Sequence, residues 1–366
     1  MTKEEIIKMK MSRIEKEIRE TPYHKGTEHL HGLLKAKMAR LQDELQGSSG
    51  KGGGGGVGYA IKHSGDASVV LVGLPSVGKS TLLNKLTNAE SKVGNYDFTT
   101  LGVVPGMMEY KGVKVQILDL PGIVEGAAEN KGFGKKVISV IRAADMAVIM
   151  TDVKRIKWLD IMANELYRSG IRLGQIPPKI HITRMEKGAI QIIDPYYSFD
   201  KTLVEEIAEE MGLGNALIQF GEKIKSVEVL IDGLSKSRRY MPVIKVINKI
   251  DDFKVESRKS KVESEEVLGI SADKELGLEE LKEKIWKELG LVRVYLRYER
   301  NSPGDRKEPL IMKKTKTVDD VLKRISNQMR DDVSKACIWG RNARFPGQEV
   351  SFKFPVFDEM EVWFGR

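Results

Sequence analysis

The sequence predicts an α/β fold centred on a mostly parallel sheet flanked by helices, with smaller modules attached. Three observations predict it. The apolar run Val69-Val70-Leu71-Val72 leads through a glycine-bounded loop into the helix-like stretch 80–86, a strand–loop–helix unit. Two more apolar runs, 113–118 and 243–247, end on the polar signatures Asp119-Leu120-Pro121-Gly122 and Asn248-Lys249-Ile250-Asp251. Those signatures stand 129 positions apart. Two strand–helix steps of ~30 residues would connect them, so about 70 residues are surplus and predict an inserted subdomain.

Residues 1–46 predict a helical hairpin. Ile7, Met11, Ile14 and Ile18 form one apolar stripe, and Leu34, Met38, Leu41 and Leu45 another. Thr21-Pro22 and Gly26 interrupt the pattern between them, so the two helices can fold back on each other. Short helices are marginal alone in water, so the stripes need each other, the central domain or a partner. Residues 47–66, with Gly52 to Gly56 in one run, predict a flexible linker.

The central domain is expected over 67–290, with an insert at about 154–239. Its first loop, Gly73-Leu74-Pro75-Ser76-Val77-Gly78-Lys79-Ser80, fits G-x-x-x-x-G-K-[ST] at every fixed position. Gly73 and Gly78 let the backbone curl its N–H groups toward phosphate oxygens, and the helix N-terminus adds partial positive charge. Lys79 can reach the outer phosphates of a nucleotide, and the Ser80 hydroxyl can ligate Mg²⁺. The nucleotide-binding residues expected here are Gly73, Pro75, Ser76, Val77, Gly78, Lys79, Ser80 and Thr81.

The base is read by the second signature. Asp251 can accept two hydrogen bonds from the N1–H and 2-amino group of guanine, whereas adenine would leave the carboxylate unpaired. Lys249 would lie along the base, and Asn248 would tie this turn to the phosphate loop. Ser271-Ala272, after the run 267–270, suits a backbone contact to the guanine oxygen. Asp119 suits a carboxylate that holds Mg²⁺ through water, and the Gly122 N–H suits the γ-phosphate. The segment Asn95-Tyr96-Asp97-Phe98-Thr99-Thr100 supplies a threonine for the metal.

The order of these motifs resembles the Obg branch of GTPases. More narrowly, it is similar to the developmentally regulated GTP-binding proteins of archaea and eukaryotes, a likeness extended by Thr27-Glu28-His29 and the stretch 32–37. The resemblance implies a GTPase, with Lys79, Thr100 (rather than Thr99) and Gly122 in catalytic roles and Ser80, Thr100 and Asp119 at Mg²⁺. It implies slow basal turnover, because Ile123 stands where Ras-like enzymes carry a water-orienting glutamine. Potassium is the activator used by some relatives, whose phosphate loop carries Asn where this chain has Ser76.

Residues 291–366 predict a separate module. Val292, Val294, Leu296 and Tyr298 alternate with Arg293, Tyr295 and Arg297, which predicts a strand with one buried and one polar face. Thr317 and Asp320 suit a helix start, and further strands are expected at 336–339, 349–354 and 361–364. This order resembles the TGS domain, a ubiquitin-like β-grasp fold often attached to translation factors. The Arg293-Tyr295-Arg297 face suits RNA.

The formal charge of +9 points to polyanionic partners. The single cysteine, Cys337, excludes an internal disulfide and fits the cytoplasm. No apolar run approaches the ~20 residues of a membrane span. The expected function is a GTP-hydrolysing switch in translation, acting on ribosomes or RNA under a regulatory protein partner. The glycines at 122, 126, 132 and 134 suit a segment that reorganises when the γ-phosphate is lost. The alternative is a weakly hydrolysing scaffold that docks a protein through the hairpin or the C-terminal module.

Overall fold

The computed structural model describes residues 2–24, 27–47, 64–87, 103–120, 134–252, 267–326 and 333–365. In chain order the first elements are α1 (Lys3–Glu20), α2 (Glu28–Gly47), β1 (Ala67–Gly73), α3 (Lys79–Leu86), β2 (Val104–Tyr110), β3 (Val113–Asp119), α4 (Lys135–Ala143) and β4 (Met146–Asp152). Next come α5 (Trp158–Arg168), β5 (Ile171–Leu173), β6 (Ile180–Arg184), β7 (Gln191–Ile193), α6 (Lys201–Glu210), β8 (Ala216–Phe220), α7 (Val227–Leu234), β9 (Arg239–Met241), β10 (Val243–Asn248) and β11 (Val267–Gly269). The last are α8 (Leu278–Leu289), β12 (Leu291–Leu296), β13 (Leu310–Lys313), α9 (Val318–Ile325), β14 (Lys335–Trp339), β15 (Gln348–Val350) and β16 (Met360–Gly365). They fall into two compact units, Met1–Ala60 with Asn164–Met241 and Ile61–Ala163 with Pro242–Arg366.

In the unit Ile61–Ala163 with Pro242–Arg366, a six-stranded sheet runs β11-β10-β4-β1-β3-β2. All neighbours are parallel except β2, which pairs antiparallel with β3. Every residue of β1 and β4 is buried. Central parallel strands are covered on both faces, which is why these two read as unbroken apolar runs. The register sets Leu71 beside Asp119, Gly73 beside Met150 and Asn248 beside Asp152. The C-terminal ends of four strands therefore share one edge, the edge at which open α/β sheets present their sites.

A five-stranded sheet, β13-β12-β16-β14-β15, belongs to the same unit. Val318, Val321 and Leu322 of α9 are buried in its core with Val292, Val294, Ile338 and Val362. The helix starts where the sequence indicated. Thr317 donates its backbone N–H to Asp320 at 2.9 Å, and that hydrogen bond heads those that lower the Asp320 pKa. Cys337 is buried.

The predicted alternation along β12 is corrected by its neighbours. Tyr295 is only 6% exposed, whereas Tyr298 lies beyond the strand and is 80% exposed. Parallel pairing with β16 sets Tyr295 beside Glu361. Arg293 is held by Asp358 at 2.7 Å and Arg297 by Glu361 at 2.7 Å, with the Arg297 guanidinium 3.9 Å above the Trp339 ring. Both cations are neutralised and the ring between them is covered, so this face is not an RNA platform. The strand expected over 349–354 is also shorter, ending at Val350.

Two ion pairs join this sheet to the first one. Lys313 reaches Asp145 at 2.8 Å and Arg324 reaches Asp66 at 3.8 Å. Burial opposes ionisation of Asp145, but Lys313 and the backbone and hydroxyl of Ser68 outweigh it, and its pKa falls below the ordinary 3.8. A depressed carboxylate stabilises the fold above its unfolded pKa, and that stability is lost as pH falls through the folded value. Asp145→Asn should therefore cost about 1–2 kcal/mol at pH 7. In thermal melts the gap to wild type should narrow as pH drops below 3.8. A gap unchanged with pH would contradict this role.

In the other unit, the hairpin's two stripes meet. Ile7, Ile14, Leu34 and Leu41 are buried together, with Met11, Ile18, Met38 and Leu45 packed against them. Thr2 and Glu5 cap α1 reciprocally. Another side of α2 carries Ala36 and Ala39, and these small residues are buried in a second core with Leu203, Ile207, Ile218 and Leu230. That core lies beneath a three-stranded sheet, β6-β8-β7, carried by residues 164–241. The hairpin is thus seated on its own partner within the chain.

A buried ion network completes this unit. Arg172 grips Asp232 with Nε at 2.5 Å and Nη2 at 2.6 Å, and its guanidinium lies 3.7 Å over the Tyr167 ring. Arg238 bonds the same carboxylate at 2.7 Å and reaches Asp43 of α2 at 3.4 Å. Asp43 also accepts from the hydroxyls of Ser235 and Ser237. Burial, seconded by the Asp232 charge, pushes the Tyr240 phenol up to about 12.

Candidate functional site

The site is built at the carboxyl edge of the six-stranded sheet. Lys79, the first residue of α3, is buried and donates to the carbonyls of Gly73 and Leu74, each at 3.1 Å. It closes the phosphate loop into a ring. Burial lowers its pKa, opposed by the charge of Asp119. Two glycines make the curl possible. A Cβ on Gly73 would stand 2.4 Å from the Met150 carbonyl. Gly78 has φ +95°, and a Cβ there would stand 2.4 Å from Asn248 Nδ2. Ser76 also holds a left-handed backbone, φ +63°. Gly78→Ala should consequently weaken guanine-nucleotide binding by at least about 100-fold, through strain of 1–3 kcal/mol plus displacement of Asn248. Fluorescent-nucleotide titration checks this, and wild-type affinity would contradict it.

Asn248 stands at the centre. Its Nδ2 donates to the Val77 carbonyl at 2.8 Å, and its Oδ1 accepts from the Ala272 N–H at 2.9 Å. One buried side chain thereby locks the loop 73–80 to the turn that begins at Ser271. Lys249, at φ +62°, donates to the Ser76 carbonyl at 2.9 Å. Asp251 lies in a single helical turn, Ile250–Asp252, pinned by the Ile250 N–H on the Ile270 carbonyl at 3.2 Å. Ser271 is bridged to Leu276. Thr81 follows Ser80 in the first turn of α3, and Pro75 precedes Ser76 in the loop.

Ser80 Oγ donates to Asp119 Oδ2 at 2.6 Å. The other Asp119 oxygen, Oδ1, is buried without a hydrogen-bond partner among the described residues. A carboxylate oxygen in that state is fitted to a cation, and a hydroxyl beside a carboxylate is the oxygen-only donor set that Mg²⁺ takes. Ser80 and Asp119 would hold the ion. Among the described residues no cluster of three or more His, Cys, Asp or Glu forms a metal site of its own. Thr100 and Gly122 lie outside the described residues, as do Ile123 and most of the glycine-rich linker.

Two neighbours of the loop were passed over in the sequence. Asp152 ends β4 and binds Arg155 Nη2 at 2.6 Å, and that same nitrogen reaches the Pro75 carbonyl at 3.4 Å. Burial opposes ionisation of Asp152, but Arg155 prevails and its pKa is lowered. The available signal was a carboxylate at a strand end with an arginine three residues later.

Known proteins resemble this chain over most of its length. Residues 68–184 match the family model described as 50S ribosome-binding GTPase, and residues 187–291 match the C-terminal region of that domain, MMR_HSR1. An uncharacterized GTP-binding protein of Methanocaldococcus jannaschii is 42% identical, the match covering 96% of this chain and 91% of that protein. Ribosome-interacting GTPase 1 of Saccharomyces cerevisiae is 39% identical over 96% of each chain. Developmentally-regulated G-protein 3 of Arabidopsis thaliana is 39% identical, covering 96% of this chain and 97% of its own.

Proposed function

The chain belongs to the family of GTP-binding proteins that these relatives represent, and from that membership we propose a GTP-hydrolysing molecular switch that acts on the ribosome. The observation that carries the reading is Asn248, which bonds the phosphate loop and the Ala272 turn at once. Lys79 and the loop N–H groups bind the phosphates, and Asp251 reads the base. Ser80 and Asp119 hold Mg²⁺, with Thr100 as a third ligand, and the ion neutralises charge on the phosphates. Gly122 would meet the γ-phosphate, the group whose loss separates the GTP and GDP states.

The proposed division of the chain is a hairpin at 1–46, a linker at 47–66, a GTPase domain at 67–290 with an insert at about 154–239, and a TGS module at 291–366. The Ribosome-interacting GTPase 1 relative supports a ribosomal partner and a cytoplasmic location. Among the described residues no helix is long and apolar enough to cross a membrane.

The test is turnover of the full chain with and without purified ribosomal subunits. Wild type is expected to hydrolyse GTP slowly alone and at least about 10-fold faster with the subunits, since an external group can add 10³–10⁵ in such sites. Lys79→Ala should remove both activities. Ile123 favours a second reading, the GTP-dependent scaffold, because it cannot orient water. Turnover unmoved by ribosomes would choose that one. Potassium activation predicts a higher rate in potassium than in sodium, and equal rates would remove it.

A further inference from the structure

We propose that the β14–β15 hairpin tip is an RNA-contacting surface, reading single-stranded or unstacked RNA through Arg341, Arg344 and Phe345. The inference rests on the ribosomal reading above and names the chemistry of one contact. Of the seven described arginines in this module, four are spent on ion pairs. Arg293, Arg297, Arg306 and Arg324 each pair with a carboxylate. Like Arg300, which lies outside the β14–β15 tip, Arg341 and Arg344 differ. Both are exposed, and among the described residues neither guanidinium has an ion-pair partner. No Asp or Glu occurs from Lys335 to Gln348, and the next one, Glu349, sits opposite Cys337.

Phe345 stands beside these cations and is 59% exposed. A large ring at a loop tip gains nothing for the core. The tip holding it is rigid. The Ala343 N–H bonds the Gly340 carbonyl at 3.1 Å, the Gln348 N–H bonds the Phe345 carbonyl at 3.2 Å, and the Arg344 N–H bonds Gln348 Oε1 at 2.7 Å. Gly340 and Gly347 both hold left-handed backbone, φ +129° and +78°, where side chains would press on the Phe357 and Trp339 rings. The loop is therefore preorganised. Guanidinium groups fit phosphates, and an exposed ring among them offers a face for stacking a base. An acidic peptide would satisfy the cations and leave the ring idle, so RNA is the occupant that uses all three side chains.

The test uses the full chain and a fluorescein-labelled 20-nucleotide single-stranded RNA, with polyglutamate of equal length as the acidic competitor. Wild type should bind the RNA. Arg341→Ala with Arg344→Ala should weaken binding and flatten the slope of log affinity against log salt by about 1.4, the loss expected for two phosphates. Phe345→Ala should weaken binding roughly 10-fold with the slope unchanged. Arg341→Lys with Arg344→Lys should restore the slope. GTP affinity, measured on each variant, should stay at the wild-type value and reports an intact fold. RNA binding that survives all the alanine changes, no RNA binding by wild type, or polyglutamate displacing RNA in a manner blind to Phe345 overturns the assignment. Those results leave the ribosomal switch standing, because that reading fails separately, by GTP turnover that ribosomal subunits leave unmoved.

Discussion

Asp251→Asn should lose GTP by about 10³-fold and gain xanthosine triphosphate by a comparable factor, with the phosphate loop undisturbed. The magnitude follows from the pairing. A carboxylate matched to two guanine donors becomes an amide that meets a donor with a donor, and a mismatched buried polar pair discriminates by 10³ or more. The same amide matches the xanthine edge. The turn that carries the residue is held by backbone hydrogen bonds, the Ile250 N–H on the Ile270 carbonyl and the Asp252 N–H on the Lys249 carbonyl at 3.1 Å. The substitution should therefore change which base is read rather than unfold the turn. Competition between GTP and xanthosine triphosphate for a fluorescent GDP analogue checks it. Unchanged preference for GTP would mean that Asp251 does not read the base.

Asp232→Ala should destabilise the unit formed by Met1–Ala60 and Asn164–Met241 by about 3–5 kcal/mol. The deletion strands the buried Arg172 guanidinium and leaves Arg238 only its longer 3.4 Å contact with Asp43, and both arginine side chains are under 5% exposed. Removing one member of a buried network leaves uncompensated charge, which costs far more than the pair contributes over an apolar substitute. Helical ellipticity should melt about 10–20 °C lower. A shift within about 2 °C would show that water reaches these cations and that the network is structurally idle.

The sequence exposed those features that repeat locally. The two stripes of α1 and α2 follow from spacing alone, because side chains three and four apart share a helix face. The phosphate loop was legible because glycine, lysine and serine at fixed offsets have one geometric use. The Arg172–Asp232 pair was not, since its members stand 60 positions apart and nothing in either neighbourhood marks them. Alternation misread β12 for a related reason. A period of two predicts faces only when one side is solvent, and here Asp358, Glu361 and Trp339 engage the side chains of Arg293 and Arg297 on that side. Charge near an aromatic ring had pointed to RNA; whether a cation is already paired depends on residues about 65 positions away, Asp358 and Glu361. Asp152 and Arg155 escaped notice because their role arises from β4 lying beside β1, a pairing set by topology.

Isothermal titration calorimetry of the full chain in Mg²⁺ buffer tests the central claim most directly. GTP and GDP should bind with one site per chain, ATP at least about 10³-fold more weakly, and Lys79→Ala should abolish the heat of GTP binding. Equal uptake of ATP and GTP, or no guanine-nucleotide heat from the wild-type protein, would contradict the account.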